Sequence, residues 1–111
     1  MNITVIEDGF AVCGQIEPGH MPALAENGIR GVICNRPDGE SFGQPTYDEV
    51  EAAAKLLGIE MRYIPIVHGR AGMVEVEAFR EALEALPGPI LAYCRSGARS
   101  NGMYNAVKSQ S

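Results

Sequence analysis

The chain has 111 residues, 46% of them hydrophobic, with a formal net charge of −5. That size and composition fit one domain, residues 1–111, able to bury a modest core without metal or disulfide staples, and the acidic balance weighs against the basic face that nucleic-acid binding requires. No apolar stretch approaches the roughly 20 residues of a membrane span, and the opening MNITVIEDGF lacks the basic-then-apolar layout of a signal peptide. A soluble, cytoplasmic protein is therefore expected, with neither nucleic acid nor membrane as partner.

Residues 3–6 (ITVI) and 10–13 (FAVC) are short apolar runs separated by EDG, which reads as a hairpin or two edge strands. EPGHMPALAENG predicts a helix from about 20 to 27, with Leu24 facing inward and Gly28 as its stop. GVICN at 31–35 is a strand of the buried type, and NRPDGESFGQP after it is a loop by its Pro37, Gly39 and Gly43. Thr46 is placed to cap the next helix, because Glu49 completes a capping box and Asp48 and Glu49 favour the positive end of the helix dipole. Val50, Ala53, Ala54 and Leu57 form the inner face of that helix, which Gly58 ends.

MRYIPI at 61–66 predicts the next strand, followed by the loop VHGRAG. In VEVEAFREALEALPG the apolar Val76, Phe79, Leu83 and Leu86 recur at i, i+3, i+7 and i+10, a helix closed by Pro87-Gly88. PILAYC at 89–94 is the last strand, and a helix from about 99 to 108 finishes the chain. Strands alternating with helices imply right-handed crossovers, hence an α/β fold with a mainly parallel sheet and helices on both faces. Ligands of such sheets bind beyond the carboxyl ends of the strands, so the loops at 35–45, 67–72 and 94–100 are expected to meet at one site.

The last of these loops carries the chemistry. A strand ending at Cys94 and a helix starting near Arg99 leave the backbone N–H groups of about Arg95 to Ser100 without a regular partner. If the loop curls, as Gly97 permits, those donors converge into an anion nest reinforced by the helix dipole. The same donors stabilise a thiolate, making Cys94 the candidate nucleophile. Arg99 is the candidate for bidentate binding of an anionic substrate and for added positive charge near the sulfur. Arg95, Ser96, Gly97, Ala98 and Ser100 supply the substrate-binding loop, with Ser96 or Ser100 placed to hydrogen-bond the thiolate. The bland alternative is a buried strand-end cysteine followed by a solvated turn.

The segment CRSGARS resembles the active-site loop of rhodanese-type sulfurtransferases, which run Cys-x4-Arg. The whole chain resembles the small bacterial phosphatase-like domain family (DUF442), found alone or fused to metallo-β-lactamase-like persulfide dioxygenases. The resemblance is carried by GQI at 14–16, NRPDGE at 35–40, YIPI at 63–66 and PGPILAYCRSGARS at 87–100. It implies a fold like that of the dual-specificity cysteine phosphatases. Those enzymes carry His-Cys-x5-Arg, whereas here Tyr93 precedes the cysteine, and Ser100 stands where the phosphatase arginine would fall. They also place an acid three residues after a strand proline, which from Pro65 lands on His68.

A ring one residue shorter suits a terminal sulfur better than a phosphoryl group, and sulfur transfer needs no acid for its leaving group. The expected activity is therefore transfer of sulfane sulfur from thiosulfate or a glutathione-persulfide-like donor to a thiol or cyanide, through a Cys94 persulfide. Two alternatives stand beside it: a cysteine phosphatase acting through a phosphocysteine, and a noncatalytic anion-binding domain.

Arg36 and Asp38 lie in a loop on the same edge, where substrate contact and a simple loop tie are both open. Cys34 ends a strand and reads as packing or as a partner of Cys94, while Cys13 reads as core. The expected partners are a small anionic sulfur donor or a phosphoester, and a persulfide dioxygenase or thiol protein. The spacing of Cys and His predicts no metal site and the chemistry calls for no cofactor.

Overall fold

The computed structural model of the protein describes residues 1–110. These form a five-stranded sheet in the order β1-β2-β5-β3-β4. The strands are β1 (Thr4–Glu7), β2 (Phe10–Cys13), β3 (Gly31–Cys34), β4 (Glu60–Tyr63) and β5 (Ile90–Tyr93). β1 and β2 are an antiparallel hairpin turned at Asp8-Gly9, and every other pairing is parallel. The helices are α1 (Met21–Glu26, after a 3-10 turn at Pro18–His20), α2 (Tyr47–Lys55), α3 (Met73–Ala85) and α4 (Ala98–Ser109).

Because helices cover both faces, the inner strands are apolar throughout rather than alternating. Phe10, Val12, Ile33 and Ala92 face α3 and α4, in a cluster with Phe79, Leu86, Tyr104 and Val107. Cys13, Val32, Cys34 and Tyr93 face the other way, in a cluster with Met21 and Leu24 of α1 and Val50 and Ala54 of α2. The Phe10 ring stacks on Tyr104 at 3.9 Å and meets Phe79 edge-on. None of the helices among the described residues is long and apolar enough to cross a membrane.

The expected α/β architecture is observed, and its departures have local causes. Thr46 and Glu49 form the predicted capping box, with Thr46 Oγ1 accepting from the Glu49 N–H at 3.2 Å and Glu49 Oε1 accepting from the Thr46 N–H at 2.9 Å. Leu57, however, is not on the inner face: it is 43% exposed. α2 stops at Lys55, the chain turns through Gly58 at φ +74°, and Ile59 takes the buried place. The strand expected over 61–66 ends at Tyr63. Beyond it the Ile64 N–H donates to the Cys34 carbonyl and the Ile66 N–H to the Asn35 carbonyl, each 2.9 Å, so two residues here are matched by one on the partner and the regular ladder ends; Pro65, between them, has no N–H to donate. The buried Asn35 side chain donates to the Ile64 carbonyl, also at 2.9 Å, and so pins the segment that leads to His68.

Candidate active site

β5 is the middle strand, held by parallel neighbours on both sides, and Cys94 follows it directly. The chain then curls through Arg95 to Gly97 into the start of α4. Gly97 has φ +95°, the left-handed region that L side chains rarely adopt. Its N–H turns inward and donates to Cys94 Sγ at 3.0 Å.

The loop also sits tightly on the end of β2. A Cβ on Gly14 would stand 2.9 Å from the Arg95 carbonyl oxygen, and one on Gly97 would stand 3.3 Å from that of Cys13. Two glycines thus allow two backbones to touch, and that contact fixes the curl.

The electrostatic result is a thiol that ionises below its ordinary range. Burial alone pushes the Cys94 pKa up, but backbone N–H groups of Ser100, Ser96, Arg99 and Gly97 converge on the sulfur and bring it below the ordinary value. Cys13 and Cys34 behave in the opposite way. Burial pushes them up to about 12 and about 11 respectively, so at neutral pH they are packed, protonated thiols. Cys34 packs on the α1/α2 side of the sheet and its sulfur lies 3.3 Å from the Arg36 carbonyl. All three thiols are free.

Above the loop lies a cavity of about 640 Å³. The loop after β3 supplies Arg36, Glu40 and Ser41, the loop after β4 supplies His68, and the cysteine loop supplies Arg95, Ser96, Ala98 and Arg99. The three segments expected to meet do so. Cys94 is 1% exposed and lies beneath this lining, with Gly97 and Ser100 also buried beside it. The Ser100 hydroxyl has no hydrogen-bond partner, so its backbone N–H, rather than its side chain, serves the sulfur.

Asp38 is not part of the cavity lining; its carboxylate accepts the Tyr47 N–H at 2.8 Å, at the start of α2, and its own N–H donates to the Tyr63 hydroxyl. Arg36 does line the cavity, yet its guanidinium is engaged within the protein, by Glu40, Gln15 and Ser41. Among the described residues, no cluster of three or more His, Cys, Asp or Glu side chains is placed to hold a metal ion.

Glu40 is the residue that sequence reasoning did not single out. Its carboxylate binds Arg99 through both oxygens, Oε2 to Nη1 at 2.7 Å and Oε1 to Nη2 at 2.9 Å. Arg99 Nη1 also donates to the Ile66 carbonyl at 2.8 Å. The hydrogen bond from Arg99, with Arg36 adding to it, holds the Glu40 pKa down at about 2, and Glu40 in turn raises that of Arg99. The available signal was spacing: Glu40 stands four residues after Arg36 in a loop already placed on the active edge.

A sequence model of the family described as "Beta-lactamase hydrolase-like protein, phosphatase-like domain" matches residues 2–110. A beta-lactamase hydrolase-like protein of Xylella fastidiosa is 32% identical over 104 residues, a match that takes in 94% of this chain and 24% of the relative. The chain therefore spans about a quarter of the length of the curated relatives it matches.

Among solved structures, a candidate phosphatase of Neisseria meningitidis superposes with a TM-score of 0.87 at 28% identity, over 94% of this chain and 74% of that one. The core catalytic domain of the PP-IP phosphatase SIW14 of S. cerevisiae superposes with a TM-score of 0.68 at 16% identity, over 87% of this chain and 57% of that one. At that identity the likeness is one of fold: a cysteine-phosphatase-like sheet with its helices.

Proposed function

The chain belongs to the family of the phosphatase-like domain of beta-lactamase hydrolase-like proteins, and from that premise we propose that it is a cysteine-dependent phosphatase acting on a phosphoester. The main expectation drawn from the sequence, sulfur transfer, thereby becomes the second reading. One observation carries the proposal: the Cys94 sulfur lies within a ring of backbone N–H groups that lowers its pKa, beside an arginine whose position is fixed.

In the first step the Cys94 thiolate attacks phosphorus, the bond from phosphorus to the ester oxygen breaks, and a phosphocysteine forms. The equatorial oxygens bear the charge of the transition state, and the loop N–H groups and Arg99 are the donors that meet it. The departing oxygen takes a proton from His68, which lines the cavity. Glu40 is unsuited to that role because Arg99 keeps it ionised. In the second step water attacks phosphorus, the sulfur–phosphorus bond breaks, orthophosphate leaves, and the water proton passes to the now neutral His68.

The second reading rests on two features of the same site. The loop has four residues between Cys94 and Arg99, and among the described residues the one carboxyl group lining the cavity is held ionised. Both suit a reaction with a leaving group that needs no proton. In that chemistry the thiolate attacks the outer sulfur of thiosulfate, the sulfur–sulfur bond breaks, sulfite leaves, and cyanide or a thiol takes the outer sulfur from the Cys94 persulfide.

One paired assay separates the readings. An aryl phosphate is offered in one arm and thiosulfate with cyanide in the other, each to the native chain and to Cys94→Ser. Phosphate release that the variant abolishes, with a phosphocysteine trapped by acid quenching, is the expected result. Thiocyanate formation without phosphate release would transfer the assignment to the second reading.

A further inference from the structure

We propose that Glu40, itself anchored by Arg36, is a positioning residue that decides which edge of the Arg99 guanidinium is offered to substrate. The inference rests on reading the cysteine loop as an anion-binding site. A guanidinium has five N–H donors: one on Nε and two on each terminal nitrogen. Glu40 takes one from Nη1 and one from Nη2, at 2.7 and 2.9 Å, and the Ile66 carbonyl takes the second from Nη1 at 2.8 Å. The donors left are the Nε–H and the second Nη2–H. These two are parallel and share one edge, which is the fork that receives two oxygens of a single oxyanion. Arg99 lines the cavity together with the cysteine-loop residues Arg95, Ser96 and Ala98, so the guanidinium belongs to the reacting centre.

The arrangement depends on the carboxylate being held by a second cation, on the Oε1 that also accepts from Arg99 Nη2. Arg36, with its side chain 6% exposed, donates from Nε to Glu40 Oε1 at 3.0 Å. Its other two nitrogens are fixed, Nη1 on the Gln15 side-chain oxygen at 3.0 Å and Nη2 on the Ser41 hydroxyl at 2.9 Å. Glu40 is thus clamped between a buried cation and the cation it orients. A mere occupant of the anion seat would need no second anchor.

The two roles for Glu40 make opposite predictions. A carboxylate competing for the seat repels anions, so neutralising it would tighten anion binding. A positioning carboxylate keeps the fork aimed, so neutralising it weakens binding although a negative charge is removed. The probe is inorganic sulfate, which stays a dianion through the working pH range, titrated by calorimetry into the native chain, Glu40→Gln and Arg36→Met. Both variants are expected to bind roughly tenfold more weakly.

Nitrogen-resolved NMR of the Arg99 side chain gives a readout independent of binding: slow rotation about the Nε–Cζ bond in the native chain, fast rotation in Glu40→Gln. Equal or tighter sulfate binding by Glu40→Gln, or a freely rotating Arg99 in the native chain, would overturn the inference. A native chain that binds sulfate, keeps Arg99 fixed and yet hydrolyses no phosphoester would remove the phosphatase reading and leave this one standing.

Discussion

The backbone N–H of Gly97 donates to Cys94 Sγ at 3.0 Å, and it does so from a left-handed conformation, φ +95°, with the Cys13 carbonyl oxygen 3.3 Å from where a Cβ would stand. Gly97→Ala therefore forces either strain or an uncurled loop. A loss of about 1–2 kcal/mol in stability is expected, together with an activity loss of at least roughly tenfold as one thiolate donor moves away. Chemical unfolding reads the first and steady-state kinetics the second.

The lowered pKa of Cys94 is visible as chemistry. Iodoacetamide should alkylate this thiol with a pH midpoint below the roughly 8.5 of a free cysteine, and Cys94→Ser should remove that fast phase and the activity together. The stability linkage has a definite sign. The folded pKa lies below the unfolded one, so the contribution is complete above the unfolded value and disappears as pH falls through the folded midpoint. Urea unfolding of the native chain and Cys94→Ser across that window checks it.

Glu40 supplies a second pH signature, at the acid end. Its folded pKa is about 2, against roughly 4.3 for an unstructured glutamate. The stabilisation is present in full above the unfolded value and is lost as pH falls through about 2. Its side chain is a quarter exposed, so solvent screening reduces the effect, and Glu40→Gln should cost about 1 kcal/mol at pH 7. That difference should shrink steadily when the two chains are compared at pH 4 and pH 3.

Gly14 touches the same loop from the end of β2. A methyl group there would lie 2.9 Å from the Arg95 carbonyl oxygen, closer than any relaxed contact, so the loop backbone must shift. Gly14→Ala is expected to lose about 1–3 kcal/mol of stability and to slow Cys94 alkylation. Gly102→Ala, where a Cβ would have nothing within 4 Å, is the matched control and should do neither.

Much of this was legible from residue order alone. The capping box at Thr46 and Glu49, the α3 stripe through Val76 and Phe79, and the meeting of three loops around Cys94 all follow from local chemistry and periodicity. Leu57 was misplaced because apolar spacing does not reveal where a helix stops, and here the turn through Gly58 hands the buried position to Ile59.

Glu40 was missed for a different reason. The arginine it orients, Arg99, lies far along the chain, and a glutamate in a polar loop carries no mark of a distant cation. Asp38 shows the converse: a carboxylate in a suggestive loop whose work is to receive the Tyr47 N–H at the start of α2.

The sulfur's seat on the innermost strand has a further consequence. Fraying begins at sheet margins, where amides lack a neighbour on one side; here those margins are β1 and β4, while β5 is sandwiched between β2 and β3. Partial opening at either border leaves the nucleophile's own foundation intact.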